Sequence, residues 1–284
     1  MASPTLVIDA NNTSHSNPLT TSLMFDISFA ENDEAPIDTY FDKIRSLILL
    51  INPARFNELN ANLVVLGCIS VFESYMREII RRTILIDEKS RKNCEAMPLS
   101  YGAAITHHSS LLPEAILEDV SFAGKKNVTE SLKNFIGIKG YLPNSLVSAL
   151  DEFSKVCELR HCLVHRFGKL GTKNAIKLGL AEHSPCIEKP LTLTYTLLQD
   201  IQLSCNVMVK EINNFIFNSL LHRLIVEDNG KKNTNTIWKW RYNQDRNLFL
   251  KYYRTFVSST EVTPKHSGAR EAYDLYRQEY NSLN

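Results

Sequence analysis

The sequence predicts an all-α protein: a helical bundle with a helical insertion and a C-terminal helical extension. Three observations support this prediction. Four long segments repeat apolar residues at steps of three and four, as amphipathic helices do. The segment between the second and the third is interrupted by Pro and Gly, which favours short helices and loops. Strand-like runs occur only near the start of the chain.

The composition is typical of a soluble globular protein. Of 284 residues, 44% are apolar and 22% are charged, enough for one large domain or two modest ones. The net charge of +1 argues neither for nor against a polyanionic partner. There is no secretory leader pattern and no uncharged apolar run of membrane-spanning length. We therefore expect a cytoplasmic protein without membrane contact.

The cysteines predict neither a disulfide framework nor a zinc knuckle, because no C-x-x-C pair occurs. Several fall inside apolar helical segments, where a free thiol behaves as a small hydrophobe. The six cysteines interpreted as reduced thiols are Cys68, Cys94, Cys157, Cys162, Cys186 and Cys205.

The chain is predicted to begin with a polar segment, residues 1–36, rich in Ser, Thr and Asn. Two strand-like runs in it, residues 5–9 and 23–29, are compatible with a short hairpin. Helical periodicity starts at residue 37, and the bundle is predicted to extend over residues 37–230.

The first two helices of the bundle are predicted over residues 37–51 and 57–86. Pro53 lies between them and ends the first helix or precedes a turn. The apolar stripe of the second helix is wide, as expected for a helix in the middle of a bundle. One face of the first helix carries Tyr40, Ile44, Leu47 and Ile51. The insertion follows the second helix at about residues 87–142.

The third helix is predicted to begin at Asn144 or Ser145, either of which is a suitable N-cap, and to stop at Gly168. Residues 168–190 contain Gly and Lys and are interpreted as a connection. The fourth helix is predicted over residues 191–225.

Residues 226–237 are interpreted as a linker, and a tail with interleaved aromatic and basic residues follows at 238–284. The basic, aromatic C-terminal extension is predicted over residues 231–284, which contain 10 Lys and Arg against 5 Asp and Glu. Two interpretations of its aromatic residues stay open. They can stack on unpaired bases while the cations follow the phosphates. They can instead form a helical hairpin that packs on the bundle with its cations turned outward.

The third helix ends in the stretch ELRHCLVHRFGKL, residues 158–170, which places Arg160, His161 and His165 within six residues. The two histidines are four apart and share a helix face, whereas Arg160 lies about 140° around the axis from His165. RNA cleavage without a metal needs a proton donor and acceptor titrating near neutrality and a fixed cation for the phosphate. A twofold dimer would bring two such sets together.

The segment RHCLVH, residues 160–165, resembles the R-[N/D/H]-x3-H form of the R-x4–6-H motif of HEPN-type proteins. The segment VFESYMREII, residues 71–80, resembles the earlier helix of that family, which often carries an acidic residue facing the site. Glu73 is the matching position. The resemblance covers residues 37–225.

The resemblance implies a metal-independent endoribonuclease that needs no cofactor and cuts by attack of the RNA 2′-hydroxyl. Arg160 would bind the scissile phosphate, His165 would act as general acid or base, His161 would orient groups or share the proton transfer, and Glu73 would position Arg160 or His165. It further implies a homodimer with facing motif helices, 2′,3′-cyclic-phosphate products, and a role as a toxin or anti-phage effector. An inhibitory or regulatory protein partner is compatible with such a role.

Simpler interpretations stay open for the same residues. The domain can be a non-catalytic HEPN-type module for dimerisation or nucleic-acid binding. Arg160 and His165 can merely cap the helix. His161 and His165 can bind a metal with Glu158 or a bundle residue as the third ligand. Glu73 can form a surface ion pair with Arg77, and Cys162, between the histidines, is more simply a buried thiol than a nucleophile.

Overall fold

The computed structural model describes residue 11, residues 16–261 and residues 266–283. The chain forms two compact units, Met1–Asp33 and Glu34–Asn284. The all-α prediction is confirmed, because the described residues form helices and no β-strand. The eleven α-helices among them are α1 Pro36–Ile48, α2 Glu58–Ile86, α3 Glu88–Cys94, α4 Tyr101–Thr106, α5 Leu112–Ala115, α6 Lys125–Ser131, α7 Asn144–Arg166, α8 Thr172–His183, α9 Tyr195–Ile225, α10 Tyr242–Phe256 and α11 Ala269–Ser282.

The described part of the first unit contains one short 3-10 helix, Thr21–Met24. Of the two strand-like runs, residues 5–9 lie outside the described residues, and residues 23–29 form no strand. Large apolar side chains of this unit are solvent-exposed: Leu19, Leu23, Met24, Phe25, Ile27 and Phe29.

The core of the second unit is a bundle of α1, α2, α7 and α9, the four helices predicted from periodicity. α2 packs against the other three, and α9 also contacts α1 and α7. Side chains cap the N-termini of α2 and α9. Asn57 and Thr194 accept hydrogen bonds from the N–H groups of Asn60 and Leu197, respectively. None of the described helices has both the length and the apolar character needed to cross a membrane.

Two details of the predicted bundle differ in the structure. The N-cap of α7 is Pro143, and neither Asn144 nor Ser145 caps the helix, since the Ser145 hydroxyl donates instead to Glu211 at 2.7 Å. The predicted connection at residues 168–190 contains the helix α8. Ala175 is the one residue that this helix buries among those described, so it lacks the buried apolar stripe of the four long helices.

The insertion consists of α3 to α6 and a π-helix, Leu132–Ile136, as short helices and loops were predicted. Arg77 of α2 holds it by donating to the carbonyl oxygens of Leu117, Glu118 and Val120. The insertion adds its own apolar side chains to the core, namely Leu117, Phe122, Val128, Leu132, Phe135 and Ile136.

The C-terminal extension packs on the bundle through α10 and α11. The Tyr276 hydroxyl of α11 donates to the Leu221 carbonyl of α9 at 2.8 Å, and Tyr273 donates to the buried Asp245. The packing interpretation is therefore correct for the buried aromatic residues, which are Trp238, Phe249, Tyr252, Phe256, Tyr273 and Tyr276. The cations between them are turned outward: Lys239, Arg241, Arg246, Lys251 and Arg254 are exposed.

A buried carboxylate on α1 fixes the segment after α10. Asp38 is fully buried and accepts hydrogen bonds from the Ser258 hydroxyl, from the Ser259 N–H and hydroxyl at 2.8 Å each, and from the Thr260 hydroxyl at 3.0 Å. Burial favours the neutral acid, but these donors together outweigh it and hold the pKa of Asp38 below its usual value.

We expect the Asp38 carboxylate to make the free energy of unfolding depend on pH. Because its pKa is lower in the folded chain, its contribution is complete above the unfolded pKa of about 3.9 and is lost as pH falls through the folded value. Asp38→Asn should be less stable than wild type at pH 7, by about 1–3 kcal/mol, and the two should converge in acid. Urea unfolding against pH tests this. The control is Asp119→Asn, an exposed acid, and parallel curves for wild type and Asp38→Asn would contradict the expectation.

Candidate active site

The candidate site occupies the last two turns of α7. A buried stripe of Leu146, Leu150, Phe153 and Cys157 anchors the preceding turns in the core. The helix ends at Arg166, because Phe167 adopts the left-handed conformation with φ 50° and ψ 41°. The N–H of Gly168, at φ 92°, donates to the Cys162 carbonyl at 3.0 Å and closes the end. The predicted stop at Gly168 is therefore correct to within two residues.

His161 and His165 lie together on the solvent-exposed face of this end. Their ring centroids are 4.9 Å apart with an interplanar angle of 38°. Neither ring makes a hydrogen bond or an ion pair with the residues that the structure describes. The nitrogens of both rings are therefore accessible to an external proton donor or acceptor.

Arg160 is half-buried, and within the described part of the chain its guanidinium makes no hydrogen bond or ion pair. Helix geometry places it about 100° from His161 and about 140° from His165. Val164, which is 48% exposed, lies between the arginine and the histidines around the axis. A single chain thus pairs the two histidines but holds the unpartnered cation on the neighbouring face.

Glu73 lies on α2, where its carboxylate accepts the Ser121 hydroxyl at 3.1 Å and the Phe122 N–H at 3.0 Å. The expectation that it positions Arg160 or His165 has no hydrogen bond to support it. Nor does Glu73 pair with Arg77, which donates to carbonyl oxygens of the insertion. Glu73 serves to hold the insertion on α2.

The contacts of Glu158 also differ from those that the metal-ligand interpretation requires. Its carboxylate accepts Asn174 at 2.7 Å and pairs with Lys177 at 2.7 Å, and these contacts fix α8 beside the motif. The carboxylate is thereby directed to α8 and not to the histidines. The described residues contain no group of three or more His, Cys, Asp or Glu able to hold a metal ion. Burial raises the pKa of the Cys162 thiol, which fits a core residue and not a nucleophile.

A basic edge, which was not predicted from the sequence, follows the motif. Between residues 159 and 181 the chain has no acidic residue, a signal that is readable from the sequence. Arg166 is neutralised by Glu188, with oxygens at 2.6 and 2.7 Å, and Lys177 by Glu158. The cations of this stretch that form no ion pair with described residues are Arg160, Lys169 and Lys173.

Two cavities of the described residues lie away from this end of α7. One, of about 520 Å³, is lined by residues of α9, α10 and α11, and the other, of about 620 Å³, by residues of α3, α9 and the loops around them. They share Phe215, Ser219 and His222 and include none of the motif residues. The histidines of the candidate site lie at the protein surface, where both are exposed.

Comparisons of the chain with protein-family models, with curated proteins and with solved structures give no match. The HEPN resemblance of residues 160–165 stays a prediction, and a functional assignment depends on the geometry of the side chains described above.

Proposed function

We propose that this protein is a metal-independent endoribonuclease whose site is formed by Arg160, His161 and His165. One observation supports it most directly: at the end of a core helix, a half-buried guanidinium that has no partner among the described residues lies on the face neighbouring two exposed, adjacent imidazoles. A cation held on a rigid helix without a counter-ion is suited to an external phosphate. Helix capping requires one cation at most and does not account for the histidine pair.

In the proposed reaction, one imidazole accepts the proton of the RNA 2′-hydroxyl, and the 2′-oxygen attacks the adjacent phosphorus. The bond to the 5′-oxygen breaks, and the other imidazole, in its protonated form, donates a proton to that leaving oxygen. Arg160 stabilises the charge on the non-bridging oxygens. The products are a 2′,3′-cyclic phosphate and a 5′-hydroxyl end, so no water or metal enters this step.

The angular separation on α7 favours a homodimer. Since Arg160 and His165 lie on different faces of one helix, two copies with facing α7 helices would bring the arginine of one to the histidines of the other. RNA would then bind in the cleft between the copies. The proposed cellular role is a toxin or anti-phage effector in the cytoplasm, restrained by an inhibitory or regulatory protein.

Incubation of the purified chain with total RNA, with and without EDTA, tests this proposal. We expect cleavage that EDTA does not reduce, 2′,3′-cyclic-phosphate ends, and no cut at a position where the substrate carries a 2′-deoxyribose. Loss of activity in EDTA would exclude the mechanism. RNA binding without any cleavage would favour the alternative, a non-catalytic HEPN-type dimerisation or nucleic-acid-binding module.

The dimer can be tested in the same assay by mixing two inactive variants. Arg160→Ala and His165→Ala, denatured and refolded together, form mixed dimers with one intact composite site. Partial recovery of cleavage indicates that the arginine and the histidine act from different copies. If the mixture is as inactive as each variant refolded alone, the site is contained in one chain.

A further inference from the structure

Phe167, the first residue after α7, combines two unfavourable features. Its φ is 50°, a conformation in which a bulky aromatic residue is a genuine outlier. Its side chain is also 85% exposed, so packing provides almost no compensating stabilisation. A glycine would end the helix at this position without strain, and the next residue, Gly168, does adopt a positive φ. Folding alone therefore does not explain a phenylalanine here.

The sequence around Phe167 is rich in cations and histidines. Phe167 directly follows the last turn of α7, seven residues after Arg160 in the sequence. His165 precedes it by two residues, and Lys169, which forms no ion pair with any described residue, follows it by two. An exposed ring that is close in sequence to a histidine pair, and to cations without an ion pair among the described residues, resembles the aromatic and basic surface that binds single-stranded nucleic acid.

We propose that Phe167 is a stacking platform for an unpaired base of the RNA, and that it directs the site to single-stranded substrates. This inference rests on the proposed function, because it takes RNA as the ligand of this surface. The stacked base holds the adjacent phosphate near Arg160 and the histidines. A base within a duplex has both faces covered by its neighbours and is not available to the ring.

The test measures binding, independently of cleavage. The wild-type chain is titrated into a labelled 2′-O-methyl oligoadenylate, which lacks the attacking hydroxyl, and into a 2′-O-methyl duplex, with fluorescence anisotropy as the readout. Phe167→Gly should weaken single-strand binding by roughly 5- to 100-fold, whereas Phe167→Trp should retain it. Duplex binding should change by less than about twofold, because it depends on the cations.

Two controls separate stacking from folding. The melting temperature of Phe167→Gly should equal or exceed that of wild type, because glycine adopts the left-handed conformation without strain. Tyr141→Gly, which removes a fully exposed aromatic ring from the loop before α7, should leave both affinities unchanged.

Several results would overturn the inference: no single-strand binding by wild type, equal affinity of wild type and Phe167→Gly, or equal losses on single strand and duplex. Loss of the dimer by Phe167→Gly in sedimentation, in parallel with lost binding, would show that the ring contacts protein instead. The outcomes for the nuclease are separate. If binding depends on Phe167 but no RNA is cleaved, the nuclease proposal is wrong and the stacking role stands. If RNA is cleaved and Phe167→Gly does not change the cleavage, the stacking role is wrong and the nuclease proposal stands.

Discussion

Replacing Arg160 with alanine is expected to lower the rate of RNA cleavage by about 10²–10³-fold while the chain stays folded. The guanidinium makes no hydrogen bond or ion pair with the described residues, so its removal leaves no other charge uncompensated. The change in the free energy of unfolding should stay below about 1 kcal/mol. Because the cation acts on charge that develops during the reaction, the loss should appear mainly in kcat.

Single-turnover cleavage of a defined RNA by wild type, Arg160→Ala and Arg160→Lys measures this effect. Lysine keeps the charge but loses the planar fork that matches phosphate oxygens, so Arg160→Lys should be intermediate. Arg246→Ala is the matched control, since Arg246 is an exposed arginine of α10, remote in sequence from the motif. Wild-type activity in Arg160→Ala would remove the arginine from the mechanism.

The long helices were predictable because burial in the core determines them. The observed bounds of α2, Glu58–Ile86, differ by one residue at the start from the prediction, and those of α9, Tyr195–Ile225, by four at the start. Both helices have apolar side chains on several faces that contact other helices. Such a periodic pattern is the strongest signal that a single sequence provides.

The helix α8 could not be predicted in this way, because it depends on partners that are distant in sequence. Gly179, with φ 109°, interrupts it, and its exposed side chains include Ile176 and Leu180. It is held by Glu158, through Asn174 and Lys177. A pattern of apolar residues contains no information about such polar contacts.

In the candidate site, too, the features that follow from helix geometry were predictable, and those that depend on contacts distant in sequence were not. The spacing of Arg160, His161 and His165 on α7 follows from helix geometry and was visible in the sequence. The partners of Glu73 were not, because Ser121 and Phe122 lie 48 and 49 residues away in an insertion without periodicity. The strain at Phe167 also required the structure, because its φ depends on where the helix stops.

The largest effect on stability is expected for Arg223→Ala, with a loss of about 3–5 kcal/mol in the free energy of unfolding. Arg223 lies on α9 and pairs with the buried Asp87, at the junction of α2 and α3. It also donates to the Ser90 hydroxyl at 2.8 Å and to the Ile136 carbonyl at 2.6 Å. One side chain therefore joins three parts of the fold: the bundle, the start of the insertion and the π-helix that ends it.

Alanine at position 223 leaves the Asp87 carboxylate buried without its cation, and the desolvation of that charge is the main cost. The N–H of Ser90 still donates to Asp87 at 2.7 Å, but one neutral donor does not replace a guanidinium. Urea unfolding at pH 7 measures the loss. Arg45→Ala is the control, because Arg45 pairs with Asp42 on the exposed face of α1 and should cost less than about 1 kcal/mol.

A double variant isolates the charge as the cause. Arg223→Met with Asp87→Leu removes both buried charges and keeps apolar volume, so it should recover part of the stability that Arg223→Met alone loses. The Ile136 carbonyl and the Ser90 hydroxyl still lack the guanidinium in the double variant, so the recovery should be incomplete. No recovery at all would mean that these hydrogen bonds, and not the ion pair, hold the insertion to α9. In that case Asp87→Leu alone should lose only the cap that its carboxylate provides to the Ser90 N–H, about 0.5–2 kcal/mol, which the same unfolding series determines.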